Sequence, residues 1–204
     1  MNYASDEKLR IIQWLLPQLL EGQILAAELP FKNVSRKADI AVLSATTLSA
    51  IEVKGPRDNL DSLAQQAEDY QQSFLEFYVA VAPMHLAAAS AIVKRSAGLI
   101  ELTSDGAVLR RKAKKRQNLA PIHAVDWLQT NDLAKLLGPQ SRGIGITKSR
   151  ELAISSTSKG TLTALAVNAV YRRALIRYKA FSAERGQQLT LDDVAMLELP
   201  TRIR

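Results

Sequence analysis

The segment 36–54 limits the fold more than any other part of the chain. It reads Arg36-Lys37-Ala38-Asp39-Ile40-Ala41-Val42-Leu43, then Ser44-Ala45-Thr46-Thr47, then Leu48-Ser49-Ala50-Ile51-Glu52-Val53-Lys54. Apolar β-formers dominate both arms and a short polar turn joins them, which predicts two paired strands. Strand side chains alternate faces, so Ala50, Glu52 and Lys54 share one face, and Ile51 and Val53 the other. If Leu43 faces Leu48 across the turn, Ala41 meets Ala50 and Asp39 stands opposite Glu52. Opposed residues on one sheet face lie about 5 Å apart, where like charges destabilise. Two acids beside a lysine are therefore expected to serve chemistry, with a cation between them.

At 204 residues and 47 % hydrophobic content, the chain is long enough for one domain with a core of its own. It has no cysteine, which excludes a disulfide framework and a Cys-based metal site. The N-terminus lacks a charged start, apolar run and cleavage site, and no apolar run reaches the roughly 18 residues of a membrane span. A cytoplasmic protein without membrane attachment is expected. Charge is divided unevenly. Residues 1–105 hold 9 Lys/Arg and 13 Asp/Glu, net −4, while residues 106–204 hold 18 and 7, net +11. A basic half suits a polyanion such as nucleic acid, although a solvated basic surface gives the same composition. The two histidines, His85 and His123, lie far apart in sequence with no companion, which argues against a His-metal site.

Apolar residues from Ile11 to Leu20 follow helical spacing, interrupted at Pro17. Residues 24–29 form a short apolar stretch before Pro30, an edge strand or a helix end, and place Glu28 just ahead of the hairpin. Residues 58–74 have a helical stripe of Leu60, Leu63, Ala64, Ala67, Tyr70 and Phe74. The apolar run 77–82 reads as a buried strand, and strand, helix, buried strand is a parallel crossover unit. A helix over 84–97 and a hairpin turning at Ser104-Asp105-Gly106 complete a mixed sheet with helices on its faces. Arg110-Arg111-Lys112-Ala113-Lys114-Lys115-Arg116 is a concentrated basic run, either a nucleic-acid groove or a solvated strand end. Prolines and glycines between 117 and 145 suggest an irregular linker. Residues 146–204 return to helix, with Arg172, Arg173, Arg177 and Lys179 facing away from an apolar stripe. The expected layout is a core at 1–116, a linker at 117–145 and a basic helical region at 146–204.

Asp39 on one strand, Glu52-Val53-Lys54 on the next, and Gln66-Ala67-Glu68-Asp69-Tyr70 on the helix that follows resemble the PD-(D/E)XK nuclease superfamily. The likeness extends to small bacterial members with Arg-x-Ala-Asp-Ile and Glu-Ile-Lys patterns, here Arg36-Lys37-Ala38-Asp39-Ile40 and Glu52-Val53-Lys54. It covers residues 5–110. Ala38 stands where the superfamily's name has proline, a position that varies widely within it. The resemblance implies a restriction-endonuclease-like α/β fold, with a mixed β-sheet core flanked by helices, here followed by a basic helical C-terminal extension.

By that resemblance, Asp39, Glu52 and Lys54 are the catalytic residues. Asp39, Glu52 and the Val53 backbone carbonyl would hold Mg2+, with Mn2+ as a substitute, and Glu28 or Glu7 would add a third acid. Mg2+ takes oxygen ligands and commonly one or two carboxylates. Gln66 and Tyr70 lie four apart on one helix face, which the resemblance turns toward the site; core packing is the other reading of Tyr70. Arg36, Arg110, Arg111, Lys112, Lys114, Lys115 and Arg116 are candidate substrate-binding cations. The expected activity is Mg2+-dependent hydrolysis of DNA phosphodiesters, with DNA favoured over RNA as partner. The alternatives are an inactive nuclease-fold module that binds nucleic acid, and a helix-turn-helix DNA-binding regulator. Oligomeric state stays open, a homodimer being one option.

Overall fold

The computed structural model describes residues 3–200. Helix α1 (Tyr3–Leu15) buries Ile11 and Ile12 and stops two residues before Pro17, which falls in a 3-10 turn (Leu16–Gln18). Proline has no N–H to continue the ladder, so it is tolerated only in such a first turn. Strands β1 (Ile24–Phe31), β2 (Arg36–Leu43), β3 (Leu48–Lys54), β4 (Glu76–Val81), β5 (Gly98–Thr103) and β6 (Gly106–Arg111) form one sheet among the described residues, in sequence order. The stretch at 24–29 is thus the edge strand, and Pro30 is accommodated there. β1, β2 and β3 are antiparallel neighbours, β3, β4 and β5 run parallel, and β6 returns antiparallel on β5. The hairpin register is the expected one: Leu43 pairs with Leu48 and Ala41 with Ala50.

Helix α2 (Leu63–Ser73) supplies the crossover between β3 and β4. Its Leu63, Ala67 and Tyr70, with Phe74 beyond it, pack over Ala41, Leu43, Leu48 and Ala50. The helix expected over 84–97 is shorter. A 3-10 turn (Pro83–His85) leads into α3 (Leu86–Ile92), and the chain turns extended at Val93, whose side chain drops into the core.

Residues 117–145, expected as a linker, hold α4 (Pro121–Val125) and α5 (Thr130–Leu137). A reciprocal capping box between Gln129 and Asp132 starts α5. Trp127, Leu128, Leu133 and Leu137 are buried in the same apolar cluster as the sheet. The last region is equally continuous with the core. After α6 (Ile146–Ser156), the long α7 (Lys159–Glu184) places Leu162, Ala166, Val170 and Ala174 against the α2 face of the sheet. Its far end puts Phe181 in the cluster on the opposite face, with Ile11, Ile40, Ile51 and Val194 of α8 (Leu191–Met196). α7 therefore passes across the β1 edge. The chain after α8 closes that edge: Ala27 N–H donates to Leu197 O at 3.0 Å, and Leu199 N–H donates to Ala27 O at 3.4 Å. Among the described residues, no helix is long and apolar enough to cross a membrane.

Candidate active site

The β2–β3 ladder ends at Ile40 opposite Ile51. Beyond it the strands are bridged by a side chain: Val53 N–H donates to Asp39 Oδ2 at 2.8 Å. Asp39 Oδ1 lies 2.8 Å from the Lys8 ammonium, which arrives from α1. The same ammonium contacts Glu28 Oε1, and Lys37 Nζ lies 3.6 Å from Glu28 Oε2. Glu28 falls between the paired residues Ala27–Ile40 and Leu29–Ala38, so it stands across from Asp39. Its φ of +47° is costly for a residue with a side chain, and such positions cluster where the surrounding structure enforces them. Lys8 thus joins acids from two adjacent strands. Burial alone would lower its pKa, but the carboxylates of Asp39 and Glu28 outweigh that and hold it above its ordinary value.

Glu52, 5 % exposed, is held from three sides. Gln66 Nε2 donates to Oε1 at 2.6 Å, Tyr70 OH donates to Oε2 at 2.6 Å, and Lys54 Nζ lies 2.9 Å from Oε1. Burial, then the nearby Asp39 charge, push the Glu52 pKa up; Tyr70 and Lys54 pull it back only in part. Burial and the same two acids raise the Tyr70 hydroxyl well above its usual value. Tyr70 packs and hydrogen-bonds at once. Its ring stacks on Phe77 with centroids 4.7 Å apart, while its hydroxyl reaches the acid.

Both candidates for the third acid reach this end of the sheet. Glu28 is linked to Asp39 through Lys8, and Glu7 lies buried against Gly55, just past Lys54. A Cβ at Gly55 would come within 3.0 Å of Glu7 Cδ, so this glycine lets the carboxylate approach. Glu7 Oε2 is buried and has no hydrogen-bond partner. Among the described residues, no group of three or more His, Cys, Asp or Glu side chains forms a ready metal cage. What is present is a two-carboxylate pair, Asp39 and Glu52, with an orphaned acid oxygen nearby. Two carboxylates of hard oxygen character are what Mg2+ usually takes from a protein, substrate phosphate and water filling the rest. The donor set fits that ion in kind, with the Lys8 ammonium already on one of its carboxylates.

The other candidate cations are arranged differently. Arg36 turns to Asp69 of α2, donating to Oδ2 at 2.9 Å, and Lys32 binds the other Asp69 oxygen. Burial alone would raise the Asp69 pKa, but these two cations hold it low. The cluster ties the β1–β2 turn to α2; in that turn Lys32, Asn33 and Val34 all have positive φ. The basic run is not brought to the carboxylates. Arg116 N–H donates to Leu75 O, and Leu75 N–H donates to Leu48 O, so, while its beginning on β6 is separated from β3 by β4 and β5, the end of the run sits by the start of β3. Lys54 is six residues further on, about 20 Å at strand rise. A cleft of about 560 Å³ lies beside β1, lined by Phe31, Trp127, Arg150 and Arg173 among others, and does not include the acids. Lys8 at the acids, and Lys32 and Asp69 in the cluster between the β1–β2 turn and α2, are residues that the sequence does not single out. Asp69 sits inside the quoted helix motif, but Lys8 adjoins Glu7 with nothing in its spacing to mark it.

A solved structure of a protein of unknown function from Silicibacter pomeroyi is similar at 20 % identity and a TM-score of 0.46, over 69 % of this chain and 96 % of that one. No curated protein matches the chain. The family model for bacteriophage P4 protein cII matches residues 2–198, nearly the full length, and the chain belongs to that family.

Proposed function

We propose that this chain hydrolyses phosphodiester bonds of nucleic acid, DNA in the first instance, at a Mg2+-dependent site built on Asp39, Glu52 and Lys54 within a restriction-endonuclease-like fold. One observation carries the reading: Glu52 is buried beside Asp39, with its pKa raised, and is oriented by Gln66 and Tyr70. Burying an acid next to another acid costs stability, and a fold without chemical need would place apolar residues there. Asp39, Glu52 and the Val53 carbonyl would hold the metal, with Glu7 or Glu28 close by. When bound, Mg2+ supplies an activated water and charge stabilisation at the phosphate. Gln66 and Tyr70 fix the Glu52 carboxylate so that it does not rotate away. Lys54, 12 % exposed, presents its ammonium beside Glu52, where it would steady negative charge developing on the phosphoryl oxygens.

The test is cleavage of plasmid and linear DNA with Mg2+ or Mn2+. Asp39→Asn and Glu52→Gln are expected to reduce cutting to background, and Lys54→Met to lower it by about 10²–10³-fold, with folding retained by circular dichroism. Cutting that survives all three substitutions rejects the reading. A second reading has its own observation: Lys8 and Lys54 already neutralise the carboxylates, as they would in a module that binds nucleic acid without cutting it. Salt-sensitive DNA binding with no cleavage under either metal would favour that reading.

A further inference from the structure

We infer that the loops 93–97 and 111–116 form a second, non-catalytic contact for a nucleic-acid backbone, at the end of the sheet opposite the carboxylates. This rests on the nucleic-acid reading above but concerns a different surface. The basic run is sorted by structure into two sets. Arg110 pairs with Glu101, Arg111 Nε donates to Ala97 O at 2.9 Å, and Arg116 donates to Phe74 O. Ala113 between them is buried. Those groups pin the segment to the ends of β4 and β5. Lys112, Lys114 and Lys115 are left exposed to solvent, and none has an ion-pair partner among the described residues.

The neighbouring loop adds to them. Lys114 N–H donates to Ser96 O at 2.8 Å, which sets Lys112, Lys114 and Lys115 beside the exposed Lys94 and Arg95. The exposed Lys159, which opens α7, is close, because Gly160 lies against the Asn118 side chain. The nearby acid Glu76, at the start of β4, is engaged by the Tyr78 hydroxyl at 3.4 Å. Six cations without an ion-pair partner among the described residues, on a backbone-anchored surface, match a line of phosphates, which such charges bind by releasing counterions. An anionic membrane would instead call for an amphipathic helix with an apolar face, and these cations stand on two loops and one helix start. Leu48, to which this loop is tethered through Leu75 and Arg116, lies about 20 Å along β3 from Lys54, roughly six base pairs at 3.4 Å each. A duplex shorter than that cannot touch both ends.

The experiment compares the full chain with a Lys112→Ala/Lys114→Ala/Lys115→Ala variant, using hairpin-capped duplexes of about four base pairs and duplexes several times longer than six, and anionic lipid vesicles as a control. For the long duplex, the slope of log affinity against log salt should become shallower by about 2.7 in the variant, near 0.9 for each phosphate no longer neutralised. Cleavage of the short duplex should be unchanged. An unchanged slope, a wild-type chain that binds vesicles but no duplex, or a parallel loss of cleavage on the short duplex would overturn the inference. A wild type that binds long duplex, cuts nothing, and loses that binding in the variant would uphold the inference while removing the catalytic reading.

Discussion

Replacing Glu52 by glutamine should make the protein progressively more stable, relative to wild type, as pH rises. Glu52 is 5 % exposed, and burial with the Asp39 charge raises its pKa above the ordinary carboxyl value of 4.5. A carboxyl with a raised folded-state pKa contributes its stability in full below its unfolded value, and loses it as pH climbs through the folded one. Between those two pKa values, one bound proton separates the folded from the unfolded chain, a slope of at most about 1.4 kcal/mol per pH unit. For a chain of this size that is roughly 3 to 6 °C in melting temperature per unit. Glutamine keeps the shape and hydrogen-bonding reach of Glu52 but has no proton to lose. The difference in melting temperature, variant minus wild type, should therefore start near its minimum at about pH 4 and rise as the pH is taken higher. Differential scanning fluorimetry of both proteins across that range measures it directly. A difference that is flat, or that falls with pH, would show that Glu52 is comfortable as a carboxylate and would refute the idea that this acid is kept against the interest of stability.

Lys8→Met should tighten Mn2+ binding, measured by calorimetry, by about tenfold or more, since it removes a unit charge at ion-pair distance from Asp39. It should also destabilise the fold by about 2 kcal/mol, because Glu28 and Asp39 lose a shared partner. Asp69→Asn should cost about 1.5–3 kcal/mol at neutral pH through weakened bonds from Lys32 and Arg36. Because the Asp69 pKa is held below 3.8, that deficit should close in denaturant melts as pH falls below this value and wild-type Asp69 takes up its proton. Gly98→Ala would put a Cβ 2.1 Å from the Tyr78 ring, and thermal melts should show a loss of about 1–3 kcal/mol from overpacking.

The hairpin is legible in the sequence because three independent signals agree on it: apolar arms, a four-residue polar turn and a pairing of Leu43 with Leu48 that leaves few alternatives. The crossover helix is legible for the same reason, its stripe being long enough to establish a period. Helices α4 and α5 are not, because five and eight residues barely complete one or two turns and the prolines and glycines around them read as loop. Their burial depends on Trp127 and Leu133 meeting the sheet, a tertiary fact. That Asp39 and Glu52 approach one another follows from extending the hairpin register, although the ladder itself stops at Ile40 and Ile51, but the partners that hold those acids come from elsewhere in the chain. Lys8 reaches them from the first helix, and no local pattern encodes how α1 docks. The basic run is visible as charge, yet only the fold reveals that half of it is committed to carbonyls and Glu101, and that the rest faces the far end of the sheet.

The bridge between Ala27 and the residues after α8 has a consequence for how the molecule comes into being. A chain made from its N-terminus produces β1 early, but the groups that cover the outer edge at Ala27 belong to Leu197 and Leu199, synthesised about 170 residues later on the numbering of the chain. Until then β1 carries an unpaired edge, a template for wrong partners. Glu28 is the next residue along that strand. The strand edge beside the acid cluster is therefore covered only once residues 197–199 have been made, long after the acids themselves.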